Sequence, residues 1–379
     1  MSASEQPSLR ELALVFLKLG TVAFGGPAAH IAMMEDEFVR KRQWLSAENF
    51  ADRLAAANLI PGPSSTELAI FIGYMKRGWR GLLVAGSCFI IPAAVLVSLI
   101  AAAYVRYGSL PRMEGILYAI KPVVIAIVAQ AVWNLGRTAV KMWWLGLLAV
   151  ACVTLSFLNL DPLAVLAFAG LVSGLFIAAR MKTGAASMLA ALPGASLGGP
   201  AAASVVPISL AGLFLSFLKI GAVVFGSGYV LLAFLRAEFI TRLHWLTEKQ
   251  LIDAVAVGQF TPGPVFTTAT FIGYILAGLR GAVVATVAIF MPGFLLVAVS
   301  GPLVPRIRRS AIAGAVLDGV VVGSVSLMAV VAWQLAKAAI VDWLAFILAV
   351  ASLIALVRFR VNSVWLIAAA ALIGWITHA

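Results

Sequence analysis

Phe16-Leu-Lys-Leu-Gly-Thr-Val-Ala-Phe-Gly25 returns later in the chain as Phe217-Leu-Lys-Ile-Gly-Ala-Val-Val-Phe-Gly226, an offset of 201 residues. Outward from it, at the same offset, Glu37-Phe38 matches Glu238-Phe239, Trp44-Leu45 matches Trp245-Leu246, and Asp52 matches Asp253. Pro61-Gly62-Pro63 matches Pro262-Gly263-Pro264. One residue is then lost, and at offset 200 Phe71-Ile-Gly-Tyr74 matches Phe271-Ile-Gly-Tyr274, Arg80-Gly81 matches Arg280-Gly281, Pro92 matches Pro292, and Trp133 matches Trp333. Such an order, kept over more than 100 residues, means that one unit is written twice. The halves run over 1–180 and 206–379, joined by 181–205, a linker rich in Ala, Gly, Ser and Pro. The apolar run 12–24 looks like a cleavable leader, but its twin at 213–225 sits mid-chain, so it is structural.

Of the 379 residues, 63% are hydrophobic and 11% charged, with a mean hydropathy of +1.06. A soluble domain carries about 25% charged residues to cover its surface. A water-soluble globular fold is excluded, and the lipid bilayer is the main partner. At roughly 20 residues per span the apolar residues suffice for at most about 12 spans. Lys and Arg number 27 against 15 Asp and Glu, a net charge of +12. The basic residues are scattered through short loops, the pattern of the positive-inside rule and not of a nucleic-acid-binding face. Cys88 and Cys152 sit inside apolar stretches as small core residues, which gives no disulfide framework and no thiolate metal site. His30, His244 and His378 have no ligand spacing, so no metal or cofactor is expected. No hydrolase elbow, Walker loop or zinc-protease motif occurs; the chain reads as no enzyme, and transport through it would be secondary.

Each half holds six apolar segments: about 9–33, 52–75, 81–104, 115–136, 142–160 and 162–179, then 208–235, 251–276, 281–304, 311–336, 338–357 and 361–378. In lipid these are helices, because open sheet edges do not survive there. The basic loops alternate. In the first half loops 2/3 and 4/5 and the exit carry seven Lys and Arg against two in loops 3/4 and 5/6; in the second half the count is five against two on the opposite set. The expected fold is therefore an all-α polytopic membrane protein with two homologous halves in inverted topology, about ten spanning helices plus interrupted or re-entrant segments. Inversion needs an odd number of crossings per half, so one of the first two segments should be re-entrant, which places the N-terminus outside.

Both of those segments are interrupted. Prolines around a glycine break a helix, at about 3 kcal/mol per interior proline. Beyond the breaks, Ser64-Ser65-Thr66-Glu67 and Val265-Phe266-Thr267-Thr268 start new half-helices whose N–H groups and dipole favour an anion. Pro61, Gly62, Pro63, Ser64, Ser65, Thr66 and Glu67, with Pro262, Gly263, Pro264, Thr267 and Thr268, form the candidate binding set. Gly25, Gly26 and Pro27, with Gly226, Ser227 and Gly228, let backbone approach a ligand or another helix. Lys18 and Lys219 share one repeat position deep in the first segments, where an ionisable side chain is costly and reads as functional; the alternatives are snorkelling to the interface or a pair with Glu37 or Glu238. Pointing inward together, they would suit a dianion. Glu67 has a threonine as its repeat partner and reads as a proton-linked carboxylate or a favourable first-turn charge. Asp52 and Asp253 read as helix N-caps, Lys121 and Asp318 as an ion pair between the halves, and Asn134 and Gln334 as helix-to-helix bonds.

At these residues the sequence resembles the chromate ion transporter family in its long, two-half form. The resemblance rests on Phe24-Gly-Gly-Pro27, Leu59-Ile-Pro-Gly-Pro-Ser-Ser-Thr-Glu67, Phe71-Ile-Gly-Tyr74 and Arg80-Gly81. In the second half it rests on Phe225-Gly-Ser-Gly228, Gly258-Gln-Phe-Thr-Pro-Gly-Pro264, Phe271-Ile-Gly-Tyr274 and Arg280-Gly281. It implies a multi-pass exporter of chromate in the bacterial inner (cytoplasmic) membrane, hence chromate resistance, with sulfate as a competing tetrahedral dianion. The alternative on the same fold is a sulfate or other oxyanion carrier or importer. Many members have a Gln before the first Pro-Gly-Pro where this chain has Asn58, so the resemblance implies the class of anion more firmly than the anion itself. The sequence leaves the oligomeric state open, a homodimer among the options, and no nucleic acid is expected.

Overall fold

The first apolar segment of each half breaks where its small residues fall. The fold, a computed structural model, describes residues 7–24, 26–108, 110–158, 160–181, 207–225, 230–300 and 310–377. Gly25, Gly226, Ser227 and Gly228 of the candidate set, and nearly all of the 181–205 linker, lie outside the described residues. Helix α1 (Leu9–Val22) starts at Ser8, whose hydroxyl accepts from Glu11 N. Helix α2 (Gly26–Glu35) runs on into a π-helical turn, Asp36–Lys41. Then come α3 (Ala47–Ala57), the Pro-Gly-Pro break, α4 (Ser64–Tyr107), α5 (Pro111–Ala139), α6 (Trp143–Phe157) and α7 (Pro162–Arg180). The second half repeats the order. Helices α8 (Leu210–Val223) and α9 (Leu231–Leu235), with its π-turn Arg236–Arg242, lead to α10 (Glu248–Phe260). A 3-10 turn (Val265–Thr267) precedes α11 (Thr268–Ser300), and α12 (Ala311–Ala339), α13 (Trp343–Arg358) and α14 (Ser363–Thr377) complete the chain. The repeat extends to strain: Gln43 and His244, at one repeat position, both hold positive φ, 51° and 53°.

Helix α4 is two arms. At Arg77 and Gly78 the backbone leaves helical geometry, with Gly78 at φ +56°, and the chain doubles back. A Cβ on Gly73 would stand 2.3 Å from the Gly81 carbonyl oxygen, and one on Gly81 2.1 Å from that of Gly73, so the arms touch backbone to backbone. The second half repeats the hairpin at Ala277 and Gly278, where Thr270 and Thr286 meet across it, Oγ1 to Oγ1, at 2.7 Å. Arm 64–76 thus runs outward from the Pro-Gly-Pro break, and arm 79–107 returns past it. Arg77 Nε donates to Pro7 O at 2.6 Å and Lys76 Nζ to Trp44 O at 2.5 Å. The start of α1, the turn before α3 and the hairpin tip therefore share one face.

Each half accordingly opens with two broken hairpins, where one re-entrant segment was expected; both interruptions turn the chain back near the middle of arm 79–107. The N-terminal end corrects a second expectation. Pro7 lies at the face of Lys76 and Arg77, the basic face, and not opposite it.

The halves meet about a pseudo-two-fold axis. Gly86 abuts the Phe294 ring, while Tyr104, near the far end of α4, packs its ring 5.2 Å from that of Phe271 near the other hairpin tip. The two long arms are therefore antiparallel. So are α5 and α12, since Gly136 faces Val325 whereas Lys141, further on, reaches back to Asp318 at 2.8 Å. Symmetry mates that run antiparallel require an axis perpendicular to the helices, which is the inverted-repeat geometry. The last helices of each half pack on the other half. Ser173 of α7 donates to Ala315 O (2.5 Å) and Gln130 of α5 donates to Leu356 O (3.2 Å).

Five described helices are long and apolar enough to cross a membrane, and shorter apolar helices, among them α6, α8, α13 and α14, pack with them. The outer surface is apolar: Leu99, Leu147, Val299 and Leu372 point outward, and Trp143 and Trp343, repeat partners, are each 73% exposed. Two side-chain expectations are corrected. The N-caps of α3 and α10 are Ser46 and Thr247, six residues before Asp52 and Asp253. Lys121 pairs with Asp253 at 3.6 Å, and Asp318 with Lys141 instead. The second break brings α10 against α5, so the inter-half pair forms there.

Candidate functional site

Each Pro-Gly-Pro loop bonds to the broken helix end of the other half. Gly62 N donates to Val224 O at 2.6 Å, and Gly263 N donates to Ala23 O at 2.9 Å. Pro61 and Phe225 form an antiparallel bridge. Because these bonds are reciprocal, the exchange sits on the pseudo-two-fold axis, and it brings both half-helix N-termini to the centre of the molecule. Ser64, Ser65, Thr66, Glu67, Thr267 and Thr268 are all buried there.

The first terminus is the less satisfied one. Pro63 is its N-cap and its carbonyl accepts from Thr66 N (2.7 Å) and Glu67 N (3.2 Å). Thr66 Oγ1 and both Glu67 carboxyl oxygens are buried without a hydrogen-bond partner among the described residues. Gly62 has φ +130°, and a Cβ there would stand 1.9 Å from Glu67 Oε1, so only glycine fits. His30, wholly buried in α2, ties the site together. Its Nε2 lies 3.0 Å from Ala23 O and its Nδ1 3.2 Å from Ser65 Oγ. A carbonyl only accepts, so Nε2 carries the proton and Nδ1 accepts from the serine. The ring stands edge-on to Phe89. Ala23 O thus receives both His30 and Gly263.

The second terminus is satisfied internally, with Thr267 Oγ1 donating to Pro264 O and Thr268 Oγ1 to Val265 O, each at 2.8 Å. Gln259, at the repeat position of Asn58, is buried with its Nε2 unpartnered. It borders a cavity of about 10 Å³ with Val265 and Thr268. That is room for about one water and not for a tetrahedral oxyanion.

Lys18 and Lys219 are not brought to the breaks. The buried stripe of α1 is Leu12, Val15, Phe16, Leu19 and Gly20, and Lys18 falls off it and is exposed. Lys219 lines a cavity of about 400 Å³ with Arg236, Arg242, Glu238 and Asp161. Its Nζ is 3.4 Å from Glu238 Oε2, and Glu238 also accepts from Ser216 and Arg242. Gly26 and Pro27 are half-buried at the start of α2. Sequence reasoning missed His30 and Gln259. The repeat partner of His30 is Leu231, so no internal echo marked it; Gln259 stood in a quoted motif, but its burial was not legible.

A protein-family model described as "Chromate transporter" matches residues 10–175 and again 211–375, one match per half. The chain belongs to the chromate transporter family. A "Chromate transport protein" of Cupriavidus metallidurans is 35% identical over 98% of this chain and 94% of its own length. A "Probable chromate transport protein" of Synechococcus elongatus is 31% identical over 92% of this chain and 89% of its own. A "Chromate transport protein" of Pseudomonas aeruginosa is 30% identical over 85% and 80%. No solved structure matches the chain. Each of the two stretches of this chromate transporter family chain that match contains one Pro-Gly-Pro break and one broken first helix. The central exchange is thus built wholly from family-matched residues.

Proposed function

We propose that the protein is a secondary transporter that exports chromate across the bacterial cytoplasmic membrane and so confers resistance to it. The observation that carries this reading is the reciprocal exchange at Gly62 and Gly263 in a chain of this family. It places two half-helix N-termini on the axis about which inverted repeats alternate. The anion is held at the N-terminus of arm 64–76, by first-turn N–H groups and by the hydroxyls of Ser64, Ser65 and Thr66, with Gly26, Pro27 and the second break completing the wall. His30 orients Ser65. Lys219, Arg236 and Arg242 line a cavity beside the core, where Glu238, Glu248 and Asp161 offset their charge, and Lys18 stands exposed at the repeat position of Lys219. Since both half-helix starts are buried, transport requires the two halves to rock relative to each other.

Export suits the charge. Moving an elementary charge across 100 mV is worth about 2.3 kcal/mol, so a dianion leaving a negative interior gains about 4.6 kcal/mol. The test is uptake of radiolabelled chromate by everted membrane vesicles, with and without an imposed potential and with sulfate as competitor. Potential-dependent, sulfate-inhibited accumulation is expected; no accumulation under any gradient refutes the reading.

A further inference from the structure

Glu67 is the one carboxylate among the described residues at the exchange, and nothing in the packing answers its charge. Both its oxygens are buried without a partner, against the backbone of Gly62 and close to Gly293. An ionised carboxylate taken from water without donors or a counter-charge is strongly disfavoured, so the neutral acid fits this arrangement. No ion pair or hydrogen bond reaches its carboxyl from the described elements around it: α3 bears Glu48, Asp52 and Arg53, and its own arm bears Tyr74 and Lys76, the lysine donating to Trp44 O. Helix α11 bears one charge, Arg280, near its hairpin tip. Arm 79–107 bears Arg80 and Arg106 near its ends, with Cys88, Tyr107 and Tyr104, the last bonded to Asp253. Helix α2 brings His30, committed to Ser65 and Ala23, and ends at Glu35. From α10, Asp253 is paired with Lys121; from α1 and α8, Lys18 is exposed and Lys219 is held by Glu238.

We propose that Glu67 is the proton-binding group of the transport cycle, so that the anion and one proton cross together. The inference rests on the transport reading above. Two negative charges cannot share one helix N-terminus, whereas the neutral acid and the dianion can. The closed site therefore keeps the proton on Glu67 beside the anion, and opening admits water that lets the carboxyl ionise as the anion leaves. The loaded site carries one net negative charge instead of two, so the potential's contribution to export is half that of the bare dianion. The second half, with threonine at the matching position, adds no second proton.

The test uses the purified full chain in liposomes, with the potential clamped, a pH-sensitive dye inside, and a chromate or a sulfate gradient. The wild type is expected to move protons in the same direction as the anion, one for one. On its alkaline limb anion flux should fall about tenfold per pH unit, the slope of a single linked proton. Glu67→Gln, an uncharged stand-in for the acid, should move anion without protons, with a flat pH profile and about twice the wild-type charge per anion. Anion flux in the wild type without proton flux, or with protons moving the opposite way, overturns the proposal, as does an unchanged pH slope in Glu67→Gln. The wild-type proton count decides the matter even if the variant misfolds. A wild type that moves neither anion refutes the transport reading itself, and this inference with it.

Discussion

At the residue scale the centre of the molecule turns on Gly62, Glu67 and His30. Gly62→Ala forces an L-residue into positive φ, at roughly 1–2 kcal/mol, and drives a methyl group into the Glu67 carboxyl. Chromate efflux should be lost at normal membrane abundance, as checked by efflux assay beside an immunoblot. His30→Ala removes two buried hydrogen bonds of about 1 kcal/mol each. Initial efflux rates at matched expression should fall tenfold or more, and His30→Gln should restore part of the loss. Lys18→Ala should behave differently, because Lys18 is exposed. Its effect should be a weaker apparent affinity at low ionic strength that vanishes in salt, read from the substrate dependence of flux. Of this site, the prolines, glycines and hydroxyls were legible from the repeat. His30 was not, since its role comes from the fold of α2 over the first break and not from any spacing.

At the element scale the hairpins and one inter-half pair matter most. Arms 64–76 and 79–107 contact through Gly73 and Gly81, whose added Cβ atoms would fall within 2.3 Å of carbonyl oxygen. Either glycine replaced by Val should splay the hairpin and lower the melting temperature in detergent far more than the same change at Gly314, which faces open space. Lys121 and Asp253 join α5 to α10 across the halves, with Tyr104 donating to the same aspartate at 3.0 Å. Lys121→Met leaves the buried Asp253 without its counter-charge, a loss of about 3–5 kcal/mol. Lys121→Met combined with Asp253→Asn should recover most of it, by thermal unfolding of the purified variants. The sequence pointed to an inter-half pair but to the wrong partner for Lys121. A one-dimensional reading aligns equivalent segments, whereas the packing sets α10 against α5.

At the scale of the whole molecule the inverted repeat makes a topological prediction. Pro7 and Lys76–Arg77 share a face that carries the first half's basic loops, so the positive-inside rule puts that face in the cytoplasm. Single cysteines at Arg10 and at Gly78 should both resist a membrane-impermeant thiol reagent in intact cells and both react in everted vesicles. Labelling from opposite sides would refute the shared face.

The sequence by itself determined the solvent, the helical class, the two homologous halves, the places where helices break and the sign of ligand that broken helix ends favour. These follow from local composition and from a pattern written twice along the chain. Only the tertiary structure decided that both opening segments turn back, that each break bonds to the other half's helix end, that the lysines lie away from the breaks, and that Glu67 sits unanswered at the centre. The reason is physical. Breaks and hydropathy are properties of neighbours in sequence, whereas a hydrogen bond from Gly62 to Val224 or from Gly263 to Ala23 exists only once two distant halves have packed about a common axis.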